Sequence, residues 1–420
     1  MEKDRYIRVK LWGKTVGYAV WDQRKQCAAF QYDLDFVKSG YEVAPIMMPL
    51  GPEPYSFRSL SRRTYKGLPG MLADSLPDSY GNTLIDAWLE KNNIRKTEFT
   101  PLDRLCYVGK RGIGALEYEP VIGRSYNGKI DVNMLSDLAA SILKKREDLR
   151  TELTEKGLKE LLSVGTSAGG ARAKAVIGIN DEGDVRSGQA SLPEGYSHWL
   201  IKFDTEPNTP EKMGFCRIEH AYYEMAKDCG INMSESRLLE IDGKAHFLTK
   251  RFDRIGNEKI HTQTLCAMGH YDFNVAGECS YGELLSLMRK LRLPYSDQEQ
   301  VFRQMVFNVV MRNHDDHTKN YSFLMGKDGK WRLSPAYDIS YAYDPANVWA
   351  QHNQITVART EEEVTRKDLI RFAEWMDIGH AEDIVDNVAS VASEWRQYAK
   401  LSGVPDKTIE RIDKVLLKKI

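Results

Sequence analysis

The chain has no closely spaced cysteines, no long apolar run, no excess of charge of either sign and no low-complexity stretch, and each absence removes a class of protein. Its six cysteines, Cys27, Cys106, Cys216, Cys229, Cys266 and Cys279, form no CxxC pair and no dense framework. Scattered in this way they fit reduced thiols rather than a disulfide scaffold, and Cys229 and Cys266 read as small buried side chains. No stretch nears the length needed to cross a bilayer, and Met1 to Lys10 is charged throughout, without the apolar segment of a signal peptide. The expectation is a cytoplasmic protein with no membrane partner. With 59 Lys and Arg against 60 Asp and Glu, the chain carries no overall field that would draw it to nucleic acid or to acidic membranes. Any contact with DNA would be local or supplied by a partner.

What is present is an ordinary globular composition, 42% hydrophobic and 28% charged, in 420 residues, enough for two or three domains. From Arg5 to Pro49, short β-rich runs (Tyr6 to Leu11, Val16 to Trp21, Cys27 to Tyr32) alternate with glycine and charged turn residues, as in a small antiparallel sheet. A loop-rich segment, Leu68 to Gly81, leads into a helical pattern from Asn82 to Lys91, and a second one runs from Asp131 to Lys145. Further strands are expected at Ala175 to Ile179, His198 to Phe203, Arg237 to Ile241 and Ala245 to Phe252, with a helix through Ile218, Ala221, Tyr222, Met225 and Ala226. The remainder reads as helical, at Tyr281 to Leu291, Gln298 to Arg312, Arg366 to Trp375, Ala381 to Tyr398 and Lys407 to Leu417. One hairpin, Tyr321 to Met325 and Trp331 to Leu333, turned at Asp328-Gly329, interrupts it. The order predicts an α+β protein in three regions: a β-rich N-terminal subdomain over 1–125, a region over 126–255, and an otherwise all-helical C-terminal lobe over 256–420.

Chemistry concentrates in Asn313-His-Asp-Asp-His-Thr-Lys-Asn320. Asp315 and Asn320 stand five apart, the spacing of a protein-kinase catalytic loop, in which an aspartate accepts the proton of the substrate hydroxyl and an asparagine binds magnesium. Asp338, in Pro335-Ala-Tyr-Asp-Ile339, could complete the metal site. A phosphoryl group in flight spreads negative charge over its oxygens, so hard oxygen ligands must hold Mg2+ against it while a base faces the nucleophile. The plainer alternative is that Asp315 and Asn320 cap a helix and shape a turn. Upstream, Lys202 interrupts the apolar run Trp199-Leu-Ile-Lys-Phe203, where an amine is costly unless paired. In a kinase such a lysine binds the α- and β-phosphates and is held by a helix glutamate, here Glu219. The alternatives are a lysine that snorkels to the surface and a solvated glutamate. Gly165 to Lys174 could bring backbone N–H groups to phosphates, with Lys174 adding a charge, or could be a flexible connector.

These residues resemble the HipA family of bacterial serine/threonine kinases over nearly the whole chain. The likeness is carried by Leu76-Pro-Asp-Ser79, Val108 to Ala115, Ser167 to Lys174, Ile201-Lys-Phe203, Arg251-Phe-Asp-Arg254, Asp315 to Asn320 and Tyr337-Asp-Ile339. It implies a two-lobed, protein-kinase-like fold, with glycine loop, strand lysine and hinge in the middle region and with catalytic loop and metal aspartate in the helical lobe. It implies ATP held by Gly169, Gly170, Ala171, Arg172, Ala173 and Lys174 along the phosphates, by Lys202, by Lys250, Arg251 and Phe252 at the adenine, and by His317, Thr318, Lys319 and Asn320. Asp315 would be the base, Asn320 and Asp338 the Mg2+ ligands, and Ser167, or Thr166 beside it, the site of an autophosphorylation that switches the kinase off. The family further implies the toxin of a type II toxin–antitoxin pair and a helix-turn-helix antitoxin of the HipB type that carries the DNA contact. Its substrate would be a component of translation such as an aminoacyl-tRNA synthetase. Three features depart from the family pattern: Asp316 where relatives often have glycine, Arg172 and Ala173 in place of Gln-Glu, and Thr166 next to Ser167. Two rival functions are a metal-dependent phosphohydrolase built on His314, Asp315, Asp316 and His317, and a kinase fold kept as a binding module or co-repressor.

Overall fold

The computed structural model describes residues 6–122, 128–144, 172–207, 209, 211–357 and 363–420. The N-terminal region opens with β1 (Tyr6–Leu11), β2 (Lys14–Asp22) and β3 (Cys27–Tyr32), and β4 (Leu116–Glu119) completes an antiparallel sheet of order β3-β2-β1-β4. Alternating burial along β1 gives the sheet one face for the core, with Ile7, Val9 and Leu11 inward. Between β1 and β2, Trp12 and Gly13 both take positive φ, 48° and 80°, the type I′ geometry that matches strand twist. Gly17 is required by close packing, because a Cβ there would lie 2.2 Å from the Gln31 carbonyl oxygen.

Helices α1 (Leu34–Ser39), α2 (Arg62–Tyr65), α3 (Gly70–Ala73), α4 (Ser79–Lys91) and α5 (Pro101–Val108) lie between β3 and β4. The segment expected to be loop-rich therefore contains α3 and the start of α4, which begins three residues earlier than the periodicity suggests because Asp78 caps it, accepting from the Gly81 N–H at 2.6 Å. Helix α5 was not legible from hydrophobic spacing. A capping box between Thr100 and Asp103 and a proline in the first turn define it instead.

After α6 (Val132–Lys144) come β5 (Lys174–Asn180), β6 (Val185–Ser187), β7 (Tyr196–Lys202), α7 (Phe215–Asp228), β8 (Ser236–Ile241) and β9 (Lys244–Lys250). The strands form a five-stranded sheet of order β6-β5-β7-β9-β8. Its strand β5 is buried along nearly its whole length, which explains an apolar run without alternation. Two short strands, β10 (Arg254–Ile255) and β11 (Glu258–Lys259), pair with each other. The rest comprises β12 (His261–Thr264), α8 (Leu265–Gly269), α9 (Tyr281–Lys290), α10 (Tyr295–Val310), β13 (Ser322–Met325), β14 (Trp331–Leu333), α11 (Arg366–Met376), α12 (Ala381–Ser393), α13 (Trp395–Leu401) and α14 (Asp406–Asp413). Strands β13 and β14 flank the expected Asp328-Gly329 turn and share a three-stranded sheet with β12. The helix expected over Ala381 to Tyr398 is two helices that break at Glu394. Just past the break Trp395 is completely buried, its ring 5.6 Å from that of Tyr222 and its Nε1 donating to the Ile409 carbonyl at 3.1 Å. All six cysteines are free and buried.

The chain divides into two compact units. One is Met1–Thr205, Glu240–Gln263 and Leu324–Lys330, and the other is Glu206–Leu239, Thr264–Phe323 and Trp331–Ile420. Inside the first unit a buried ionic cluster joins two segments far apart in sequence. Asp253 receives Arg251 Nε at 2.8 Å, Arg254 Nη1 at 2.7 Å and the Gly114 N–H at 2.7 Å, while Arg254 Nη2 donates to the Gly112 carbonyl at 3.0 Å. Burial alone would raise the Asp253 carboxyl, but the two guanidiniums and the backbone N–H outweigh it and hold the group well below the usual range. Two of the motifs singled out in the sequence, Val108 to Ala115 and Arg251 to Arg254, are thus the two halves of one clamp.

Among the described residues, no helix is long and apolar enough to cross a membrane.

Candidate functional site

The sequence-predicted residues fall into both units, and each group is built by local strand and loop geometry. In the first unit, Lys174 opens β5 and Lys202 closes β7, and the two are direct partners in the antiparallel register. Both are buried, at 2% and 6% exposure, so Lys202 does not snorkel to the surface. Two ammonium groups placed opposite each other on adjacent strands repel, and such a placement asks for negative charge nearby. Asp78, which caps α4, supplies part of it, with its Oδ2 at 3.9 Å from Lys174 Nζ. The Lys202 ammonium also lies 5.9 Å from the centre of the Phe247 ring. Ala173 is buried and its carbonyl accepts from the Phe203 N–H at 3.0 Å, whereas Arg172 is exposed. Thr166, Ser167, Gly169, Gly170 and Ala171 lie outside the described residues. Of the expected hinge, Lys250 is exposed above the Trp199 ring and Phe252 is half-buried. Arg251 directs its guanidinium to Asp253 and the Gly112 carbonyl, and its backbone N–H donates to the His198 carbonyl at 2.9 Å.

The second unit holds Glu219, Asp315, His317, Thr318, Lys319, Asn320 and Asp338. Glu219, on α7, is 2% exposed and is not a solvated surface residue. The loop after α10 starts where Arg312 takes a positive φ of 55° and Asn313 bonds back to Asn308, N–H to carbonyl at 2.9 Å and amide to amide at 2.9 Å. Asp315 then projects outward, its side chain 65% exposed, with His317 Nε2 3.8 Å from its Oδ1. Asn320 folds back beneath it. Its Nδ2 donates to the Asp315 carbonyl at 2.7 Å and its N–H to the His317 carbonyl at 2.8 Å. That bond commits the amide nitrogen and orients Oδ1, the atom suited to a hard cation, away from it. Thr318 Oγ1 donates to the Tyr271 carbonyl at 2.9 Å, the Lys319 ammonium covers the Phe273 ring at 4.6 Å, and the Tyr337 hydroxyl donates to the Lys319 carbonyl at 2.6 Å. The next residue, Asp338, has φ of 55°. A side chain held in the left-handed region costs roughly 1–2 kcal/mol, and such residues gather at functional sites.

The neighbours of Asp315 turn elsewhere. His314 is 3% exposed, its Nδ1 3.0 Å from the Ala350 carbonyl, and burial pushes its pKa down to about 4. Asp316 is 1% exposed and points away from Asp315 into the interior. Among the described residues, no group of three or more His, Cys, Asp or Glu is placed to share a metal ion, so the four side chains of the phosphohydrolase alternative do not converge. Asp78, Asp253 and the partners of Asp316 were not foreseen as site residues. Leu76-Pro-Asp-Ser79 and Arg251-Phe-Asp-Arg254 marked the first two without indicating a role, and nothing in the sequence marks the third set.

Residues 7–119 match the HipA N-terminal domain and residues 166–395 the HipA-like C-terminal domain. A Haemophilus influenzae protein named "Putative kinase" is 27% identical over 146 residues, which is 31% of this chain and 43% of that protein. "Putative kinase Y4dM" of Sinorhizobium fredii is 26% identical over 174 residues, 37% of this chain and 41% of that one. The chain thus aligns with less than half the length of these curated relatives. A solved structure of a Shewanella oneidensis MR-1 toxin–antitoxin complex, of HipA, HipB and operator DNA, contains a chain that superposes with a TM-score of 0.66 over 98% of this chain and 96% of that one. Its sequence identity is 15%, so the likeness is one of fold. With the C-terminal domain alone matching more than half of the 420 residues and the N-terminal domain preceding it in order, the chain belongs to the HipA family.

Proposed function

We propose that this chain is an ATP- and Mg2+-dependent serine/threonine protein kinase acting as the toxin of a type II toxin–antitoxin pair. The observation that carries the proposal is the loop of the second unit, where an exposed Asp315 stands over an Asn320 whose amide nitrogen is tied to the Asp315 carbonyl. In the proposed reaction Asp315 accepts the proton of a serine or threonine hydroxyl. The freed oxygen bonds to the γ-phosphorus as the bond from that phosphorus to the β,γ-bridging oxygen breaks, and ADP leaves. Asn320 Oδ1 and Asp338 are the proposed ligands of Mg2+, which would neutralise charge on the phosphates. The pair of buried lysines in the first unit, Lys174 and Lys202, suits a polyanion such as the phosphates of ATP. Residues 169–173 would line the phosphates, Lys250 to Phe252 the adenine, and Ser167 or Thr166 would take the inactivating phosphate.

The proposed partner is a helix-turn-helix antitoxin of the HipB type, in keeping with a chain whose own charge is near neutral and with the presence of HipB and operator DNA in the Shewanella oneidensis complex. The proposed target is a component of translation, such as an aminoacyl-tRNA synthetase. Intact-mass spectrometry after incubation with ATP and Mg2+ tests the reaction. Wild-type chain is expected to gain phosphate and Asp315→Asn to gain none. Phosphate on neither would favour the binding-module alternative.

A further inference from the structure

The two aspartates in the middle of the loop have opposite surroundings. Asp315 is largely exposed, while Asp316, next in the chain, is 1% exposed and fully engaged. Its Oδ2 accepts from the Tyr281 hydroxyl at 2.7 Å and from Asn353 Nδ2 at 3.1 Å, and its Oδ1 accepts from the Gln354 N–H at 2.7 Å. On one side this carboxylate rests on a continuous set of polar groups. The Tyr281 and Tyr321 hydroxyls are 3.0 Å apart, Asn308 Nδ2 lies 3.1 Å from each, and Asn308 Oδ1 receives Asn313 at 2.9 Å. On the other side it is bound to the segment that follows Asp338 in the chain. Asn353 reaches the same loop a second time, through the Asn313 carbonyl at 3.2 Å.

The loop is therefore held at residues 313, 314 and 316, through the Asn313 carbonyl, the His314 ring and the Asp316 carboxylate, immediately before and after the exposed Asp315. A buried carboxylate is a poor device for stability, since its desolvation is repaid only if every acceptor site is used. Burial pushes the Asp316 pKa up to about 6 despite these bonds. What the arrangement provides is direction, because a base displaced by about 1 Å can lose two orders of magnitude in rate.

We infer that Asp316 is a positioning residue: its buried carboxylate clamps the loop of Asp315 between the Tyr281–Tyr321–Asn308 cluster on one side and the Asn353 side-chain amide and Gln354 backbone N–H on the other, and so aims the Asp315 carboxylate at the acceptor hydroxyl. The inference rests on the kinase reading for what Asp315 does and on geometry alone for the clamp. The test uses the full chain as wild type, Asp316→Asn and Tyr281→Phe, the last keeping the carboxylate and removing one hydroxyl with its bonds to Asp316, Tyr321 and Asn308, in case the first fails to fold. Three quantities are measured: phosphate gained from Mg-ATP, affinity for a non-hydrolysable ATP analogue, and hydrogen exchange of the amides of residues 312–320. The expected result for Asp316→Asn is a rate lower by about tenfold to a hundredfold, analogue affinity within about twofold of wild type, and faster exchange confined to the loop and to residues 353–354. Tyr281→Phe is expected to show the same pattern, smaller. Unchanged loop exchange, or analogue affinity falling in step with the rate, overturns the inference. A wild-type chain that gains no phosphate sinks the kinase reading instead, and the exchange rates then decide the clamp by themselves.

Discussion

Lys202 is an amine buried at the end of an apolar strand, a position with few physically acceptable fates, whereas Asp316 is a carboxylate buried among partners from positions 281, 353 and 354. Its environment carries a measurable consequence. A carboxyl whose pKa is raised in the folded state contributes stability that is fully present below its unfolded pKa, near 4, and is lost as pH rises through about 6. The groups facing it, Tyr281 and Tyr321, are held neutral by burial across that window and add no titration of their own. The shift, from 3.8 to about 6, corresponds to roughly 3 kcal/mol. The stability of wild type relative to Asp316→Asn should therefore fall by about that amount between pH 4 and pH 8. Urea denaturation across the range measures it, and a difference independent of pH would show that Asp316 does not titrate in this way.

At the scale of elements, hydrophobic period placed most of the longer helices and strands to within a few residues. It failed where chemistry other than burial sets the boundary. Helix α5 is eight residues long, and its ends rather than its faces define it, through the Thr100 and Asp103 capping box. It carries weight beyond its length, because Arg111 donates back to the Val108 carbonyl near its end and, through Nη1, to Gln189 Oε1 at 3.1 Å. Thr100→Ala removes the cap and is expected to cost about 1 kcal/mol, seen as a lower urea midpoint with unchanged slope. A loss below a few tenths would mean that the cap does not hold this helix. The break at Glu394 was hidden for the opposite reason. Apolar spacing runs on without a Gly or Pro to announce a stop, and the fully buried Trp395 lies just past the break.

For the molecule as a whole, the Asp253 cluster binds the start of the chain to its middle within the first unit. It spans 139 residues of sequence between Gly114 and Asp253. Removing the carboxylate charge would leave two buried guanidiniums without their counter-ion, the most damaging way to break a buried pair. Asp253→Asn is expected to destabilise the chain by about 3–5 kcal/mol, whereas breaking an exposed pair such as Lys38 with Asp35 should have a far smaller effect. Thermal unfolding of Asp253→Asn beside Asp35→Asn checks the contrast, and equal effects would refute it.

By itself the sequence determined the α+β class and the HipA family. Periodicity, a lone lysine among apolar residues and an Asp–Asn spacing are all local properties that survive without coordinates. Only tertiary structure decided which of two adjacent aspartates is exposed and which is buried, which strand register sets Lys174 against Lys202, and that two separate motifs close on one carboxylate. Those outcomes depend on contacts across tens to hundreds of residues, and burial and hydrogen bonding at such range arise from packing that no window of sequence contains.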